Sequence, residues 1–235
     1  MRWDGRLTAS YPPNYCTDHQ GKGSRWAVLP IAGLLAARRR CPACGNATWW
    51  RYAAAEPITG LLFGYSAYSV GFRPELIAVL LLIAACVIIV QTDITAMMIP
   101  NKVVFPAIAI AAIIRLFIHP LSMWSYLAGA FAGSGFLLLT GLLAGWLLKK
   151  EAMGGGDIKL YVFIGLILGL QLTLFSLFAA SVLGLIGGLL QNVGGKREPG
   201  RTIPFGPYIA AGAVLSYWWG DWLLAGYMTL TGLAG

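Results

Sequence analysis

The stretch "ELIAVLLLIAACVIIVQTD", residues 75–93, carries no charge between Glu75 and Asp93. As a helix it would be about 27 Å long, close to the ~30 Å hydrocarbon core of a bilayer. A carboxylate then stands where the apolar run stops. Similar runs recur from residue 52 almost to the end of the 235-residue chain. Hydrophobic residues make up 58% of the sequence and charged ones 11%, against roughly 25% charged in a soluble domain. A soluble helical core of this size would lack the polar surface to cover it. The fold class that follows is an all-α polytopic membrane protein.

Working outward from residue 75, about seven hydrophobic segments are expected, near 52–72, 75–92, 102–118, 123–148, 158–170, 172–191 and 205–219. A short aromatic tail follows around 221–230. Charge sets the orientation. With residues 1–51 on the cytoplasmic side, Lys102, Lys149, Lys150, Lys196, Arg197 and Arg201 fall on that side too. The opposite loops hold Arg73 and His119, and Arg115 is expected to snorkel to the outer surface. The net charge of +8 is therefore a signature of topology. The basic residues lie between hydrophobic runs and do not interleave with aromatics, so nucleic acid is excluded as a partner. The run "AVLPIAGLLAA" (27–37) is too short to span, and its arginines follow it, so it does not read as a cleaved signal. Two domains are expected: a small cytoplasmic domain over 1–51 and a transmembrane domain over 52–235.

This topology places Asp93 and Asp157, 64 positions apart, on one face of the membrane, in a chain with only nine acidic residues. Asp93 ends its helix at the negative end of the dipole, near lipid, where a carboxylate is disfavoured on both counts. Asp157 follows "EAMGGG" (151–156) and opens the apolar "IKLYVFIG" (158–165). Helix capping would account for Asp157 alone, but not for three glycines in a row. Glycine lets another backbone approach closely, as a protease requires when it holds an extended peptide. Two neighbouring carboxylates that share a proton provide one acid and one base. The acid protonates a scissile carbonyl and the base activates water. The dipole argument gives the shared proton to Asp93 and the base role to Asp157. Residues 158–169 cover only about 18 Å as a helix, so Asp157 is expected at or inside the membrane boundary unless the helix continues past Gly169.

A second constellation lies in the N-terminal stretch. "CTDH" (16–19) and "CPACG" (41–45) each carry two candidate ligands at metal-knuckle spacing, 21 residues apart. Cys16, His19, Cys41 and Cys44 form a complete donor set for tetrahedral zinc. A reducing cytoplasm disfavours the alternative of a disulfide. The fourth cysteine, Cys86, lies mid-segment and is read as packing.

Here the residues resemble a known family. Asp93 at a cytoplasmic helix end, with Gly154-Gly155-Gly156-Asp157 opening another helix, is similar to the GxGD aspartyl proteases. "DITAMMIPN" (93–101), "GGGDIKL" (154–160) and "IPFGPY" (203–208) resemble the type IV prepilin peptidases more than the presenilin-type enzymes. The two knuckles, Pro30, the Arg38–Arg40 run and "RYAAAE" (51–56) resemble the cytoplasmic domain of the bifunctional members. His19 stands where those members usually have cysteine. They also usually carry a transmembrane helix ahead of the first knuckle, which this chain is expected to lack.

The resemblance implies Asp93 and Asp157 as catalytic residues, and type IV prepilins or pseudopilins as membrane-anchored substrates. Their leader would be cut on the cytoplasmic side of the bacterial inner membrane. It also implies N-methylation of the new terminus with S-adenosylmethionine, if that activity is retained, and structural zinc. Gly154, Gly155, Gly156 and Lys159 are expected to line the substrate, with Glu56 and Arg201 on the same face. "GLIGGLL" (184–190) reads as close helix packing and not as a nucleotide cradle.

Other chemistries fare worse. A serine protease would need a histidine base, and the only histidines are His19 and His119. The metalloprotease signature H-E-x-x-H is absent. A transporter or channel with Asp93 and Asp157 as an ion or proton relay is the alternative from a different class. It does not account for the knuckle. A protein that binds pilin-like helices without cutting them would have no need of both aspartates.

Overall fold

The computed structural model describes residues 49–149, 154–193 and 204–231. These residues form six helices and no strands: α1 (Trp49–Val70), α2 (Glu75–Ala96), α3 (Asn101–Phe117), α4 (Met123–Leu148), α5 (Gly155–Val193) and α6 (Gly206–Thr231). The chain divides into a unit of residues 1–62 and a unit of 63–235, and the bundle described below belongs to the second. The expected knuckle residues Cys16, His19, Cys41 and Cys44 lie outside the described residues.

Three helical stretches, Glu75–Ile94, Met123–Leu147 and Gly155–Leu190, are long and apolar enough to cross a membrane. Their outer faces remain greasy. On α4, Phe131, Leu139 and Trp146 are each largely exposed. Lipid-facing helices look like this, because a bilayer core solvates apolar side chains that water would not.

Helix α5 is the hub and packs against α2, α3, α4 and α6. It is not straight. Gly169 has φ 74° and ψ 177°, a conformation open to glycine because it lacks a Cβ. Tyr161 and Thr173 both approach Gly133 of α4, although twelve residues of straight helix would hold them about 18 Å apart. The chain therefore doubles back at Gly169. The segments expected over 158–170 and 172–191 are the two arms of α5, joined at Gly169 without an intervening loop. Helix α6 runs antiparallel to the second arm: Gly220 meets Leu172, Gly212 meets Ala180, and Phe205 packs on Gly184. The expected aromatic tail over 221–230 is not separate, since α6 continues through it to Thr231.

Close approach of α4 and α5 rests on small residues. A Cβ on Gly165 would collide with the backbone of Gly129 and Ala130, and one on Gly129 would meet the carbonyl carbon of Gly169 at 2.7 Å. These are the spacings G-x-x-x-G on both helices, 129–133 and 165–169. The glycines of "GLIGGLL" behave differently. Gly184 and Gly187 receive the rings of Phe205 and Tyr208.

At the Gly169 end of the bundle Arg115 departs from expectation. It does not snorkel; it is 2% exposed and points inward. Its guanidinium makes a bidentate pair with Glu75, Nη1 to Oε2 at 2.7 Å and Nη2 to Oε1 at 2.8 Å. Nε donates to Leu166 O at 3.1 Å, Nη2 to Ile167 O at 2.6 Å and Nη1 to Ile118 O at 3.1 Å. All five guanidinium N–H groups are thereby used. Tyr126 lies beneath, with its ring centroid 4.4 Å from the guanidinium carbon. The reason is the bend. Leu166 and Ile167 lose their helical partners at Gly169, and a cation with several donors satisfies both carbonyls where water cannot. The complementary N–H of Leu170 donates to Ser125 Oγ at 3.3 Å.

Gly165→Ala is expected to lower stability by about 1–3 kcal/mol, because the α4 backbone cannot yield to the added methyl. Gly64→Ala, where nothing lies within 4 Å of the new Cβ, is expected to be neutral or slightly stabilising. Thermal melts of the two purified variants in detergent give the comparison.

Candidate active site

The opposite end of the bundle brings together three chain segments far apart in sequence. The first is the last turn of α2, where Asp93 is 6% exposed and its backbone carbonyl accepts from Met97 N at 2.8 Å. Met97 ends the helix in a left-handed conformation, φ 50°, and turns the chain through Met98 and Ile99 into α3. The second is the start of α5, where Asp157 sits half-buried in the first turn. The third is the start of α6.

Asp93 and Asp157 lie at this same end, tied through Ile99, six residues after Asp93, which packs on Gly156, the residue before Asp157. Asp157 is the third residue of α5 rather than the residue ahead of it, so its position is not that of an N-cap. A carboxylate in a first helical turn is still favoured by the dipole.

The three glycines ahead of Asp157 divide into two kinds. A Cβ on Gly156 would lie 2.8 Å from Cβ of Ile99, so this glycine is a notch filled by Ile99. The contact ties the connection after Asp93 to the residue before Asp157. Gly155 has open space around its missing Cβ, and the nearest atom to that of Gly154 is Asp157 Oδ2 at 4.0 Å. These two leave the backbone beside Asp157 accessible. Lys159 turns toward α3: Nζ donates to Asn101 Oδ1 at 3.0 Å and lies 5.3 Å from the Phe105 ring centroid. It is near the pair in sequence but held by its neighbours on α3.

One element had no assigned role in the sequence. Gly206 N–H, the first of α6, donates to Asp93 Oδ2 at 2.8 Å. A Cβ on Gly206 would stand 2.7 Å from that same oxygen. "IPFGPY" therefore delivers an unpaired helix N-terminal N–H to the aspartate, and its glycine makes the approach sterically open. The dipole argument from sequence left Asp93 facing only the negative end of its own helix. The N-terminus of a second helix offsets that. The signal in the sequence was a Phe-Gly-Pro step directly ahead of an apolar helix, but the spacing of 113 positions to Asp93 is invisible without the fold.

The profile of the "Type IV leader peptidase family" matches residues 80–189, which include both aspartates. That of the "Bacterial Peptidase A24 N-terminal domain" matches residues 3–70. A prepilin leader peptidase/N-methyltransferase of Bacillus subtilis (strain 168) is 32% identical over 203 residues, covering 86% of this chain and 80% of that protein. The chain belongs to the type IV leader peptidase family. Proteins of the same name from Stutzerimonas stutzeri (34% identical, 90% of this chain and 72% of the relative) and Pseudomonas aeruginosa (31%, 88% and 71%) agree. No solved structure gives a significant match. As a leader peptidase family member with helices of spanning length, the chain is an integral membrane protein.

Asp93→Ala is expected to destabilise the fold by about 1–3 kcal/mol, because the buried N–H of Gly206 loses its acceptor. Asp93→Asn keeps an oxygen in that place and is expected to cost less than about 1 kcal/mol. Denaturation of both variants in the same detergent distinguishes them.

Proposed function

We propose that this protein is an aspartyl endopeptidase that removes the leader peptide of type IV prepilins or pseudopilins, with Asp93 and Asp157 as its catalytic pair. The observation that carries this reading is the convergence of the two aspartates, from different helices, at one end of a bundle whose chain belongs to the leader peptidase family. A relay for ions has no such family behind it.

In the proposed reaction one carboxylate takes a proton from water as that water attacks the scissile carbonyl carbon. The other donates a proton to the carbonyl oxygen. Gly206 N–H occupies Oδ2 of Asp93, which leaves Oδ1 as the atom to carry the shared proton. Asp157, less buried and in a first helical turn, then acts as the base. The open backbone at Gly154 and Gly155 supports an extended substrate strand running beside Asp157. Gly156 contributes by packing on Ile99. Lys159 is placed at the edge of this strand, on the α3 side.

The seven-span arrangement follows if α1, the two arms of α5 and the remaining helices each cross once. The basic residues between the segments then put the aspartate end in the cytoplasm of a bacterium with the chain in its inner membrane. Substrates would enter from lipid with their own apolar helix. Residues 1–51 form a cytoplasmic domain in this reading, with zinc held by Cys16, His19, Cys41 and Cys44. Four protein ligands leave no open position, so that zinc is structural. The relatives' names carry a second activity, N-methylation, for which S-adenosylmethionine would be the methyl donor.

Co-expression with a prepilin tests the peptidase. Asp93→Asn and Asp157→Asn are each expected to lower cleavage by about 10²–10⁴-fold while the protein remains in the membrane. Wild-type cleavage by either variant overturns the pair. Mass spectrometry of the product reads methylation in the same experiment, as the added mass of one methyl group. For the metal, elemental analysis of the purified chain is expected to find one zinc per molecule, lost in Cys41→Ser. Equal zinc in that variant rules the ligand set out.

A further inference from the structure

The Arg115 cluster lies at the end of the bundle away from the aspartates, and the chemistry proposed above does not use it. A charged pair inside a membrane protein is expensive and is retained where it performs a task. Its contacts show which task. Two of the five donors go to the carbonyls released at Gly169, one goes to the end of α3, and two hold Glu75 at the start of α2. Arg115 therefore joins the far ends of three elements. One of them, the first arm of α5, carries Asp157 at its near end. Another, α2, carries Asp93 at its near end.

The lever is short and stiff. From Ile167 back to Asp157 is about 15 Å of helix, so a tilt of roughly 4° at the bend displaces the carboxylate by about 1 Å. Misplacement on that scale can cost about 10²-fold in rate. The near end is held by the Ile99–Gly156 contact, by Lys159 on Asn101 and by the buried side chains of Leu160, Tyr161, Phe163 and Ile164, and Arg115 sets the angle of the arm from its other end. We propose that Arg115, paired with Glu75, is a positioning residue of the peptidase: by capping Leu166 and Ile167 at the Gly169 bend it fixes the first arm of α5, and hence Asp157, relative to Asp93. The proposal rests on the peptidase reading for its kinetic consequence, but not for its structural one.

Three variants separate positioning from simple stability. Arg115→Lys keeps the charge opposite Glu75 but cannot reach both carbonyls. The double change Glu75→Leu with Arg115→Leu removes both charges at similar volume, so that no lone charge is left buried, and uncaps the bend. Ser125→Ala removes only the acceptor of Leu170 N–H and is mild enough to fold if the others do not. Measured on folded protein in detergent with a purified prepilin, kcat is expected to fall about tenfold in Arg115→Lys and about 10²-fold in the double variant. A smaller loss, about threefold, is expected in Ser125→Ala. KM is expected to change little, while the melting temperature falls in the double variant, where the Leu166, Ile167 and Ile118 carbonyls lose their donor. Wild-type kcat per folded molecule in Arg115→Lys or the double variant overturns the proposal, as does activity that merely follows the folded fraction.

A second measurement needs no substrate. Amide hydrogen exchange in detergent, read by mass spectrometry, reports how firmly the first arm of α5 is held at its Asp157 end. Arg115→Lys is expected to speed exchange across residues 157–160 several-fold. Unchanged exchange there overturns the proposal. If the wild type fails to cleave any prepilin while the exchange responds as expected, the peptidase reading fails and the positioning by Arg115 stands.

Discussion

Reversing a helix at a single residue leaves backbone groups without their helical partners, and the buried carbonyls of Leu166 and Ile167 at the Gly169 bend draw on several neighbouring helices to be satisfied. The reversal needs a residue without a Cβ, because the conformation at this position crowds any side chain. It needs donors for Leu166 and Ile167, which Arg115 supplies, and an acceptor for Leu170, which Ser125 supplies. The cation then needs a counter-charge, and Glu75 provides it from the first turn of α2. A single backbone choice thus recruits residues from four helices.

The same reversal decides which segments share the Asp93 end of the bundle. It divides the 39-residue α5 into two arms, so that both Asp157 and the start of α6 lie at the end occupied by Asp93. Small residues on α4 and the first arm of α5 bring those helices into backbone contact. In lipid such contact is favoured by packing rather than by the exclusion of water. What results is a pair of carboxylates held by unlike surroundings: Asp93 buried and bonded to a helix N-terminus, Asp157 half-buried beside accessible backbone. Unlike surroundings are what a pair of identical groups requires to take different roles.

Much of this was legible in the residues alone. The length and purity of the apolar runs specify helices in a membrane, since no other backbone arrangement of such sequences satisfies its own hydrogen bonds there. The alternation of basic loops placed Asp93 and Asp157 on one face before any contact was known. The Gly-Gly-Gly-Asp and Asp-Ile-Thr-Ala-Met-Met segments resembled the leader peptidases, and the family match agrees. Arg115 was misjudged because a charge one turn from a helix end ordinarily reaches for the surface. The pull from uncapped carbonyls is absent from a one-dimensional reading. The boundary expected between segments 158–170 and 172–191 falls at the bend, which the structure places at Gly169.

The sequence by itself determined the class of fold and singled out two aspartates that the fold brings to one end of the bundle, because hydrophobic length and charge placement act locally along the chain. Only the tertiary structure decided what holds those aspartates. The Gly206 N–H on Asp93, the Ile99 contact that fills Gly156, and the clasp of Arg115 on the bend each join residues separated by tens of positions or more. Such contacts are fixed by how whole helices pack and where one of them turns back, and no periodicity or motif within a single segment encodes that geometry.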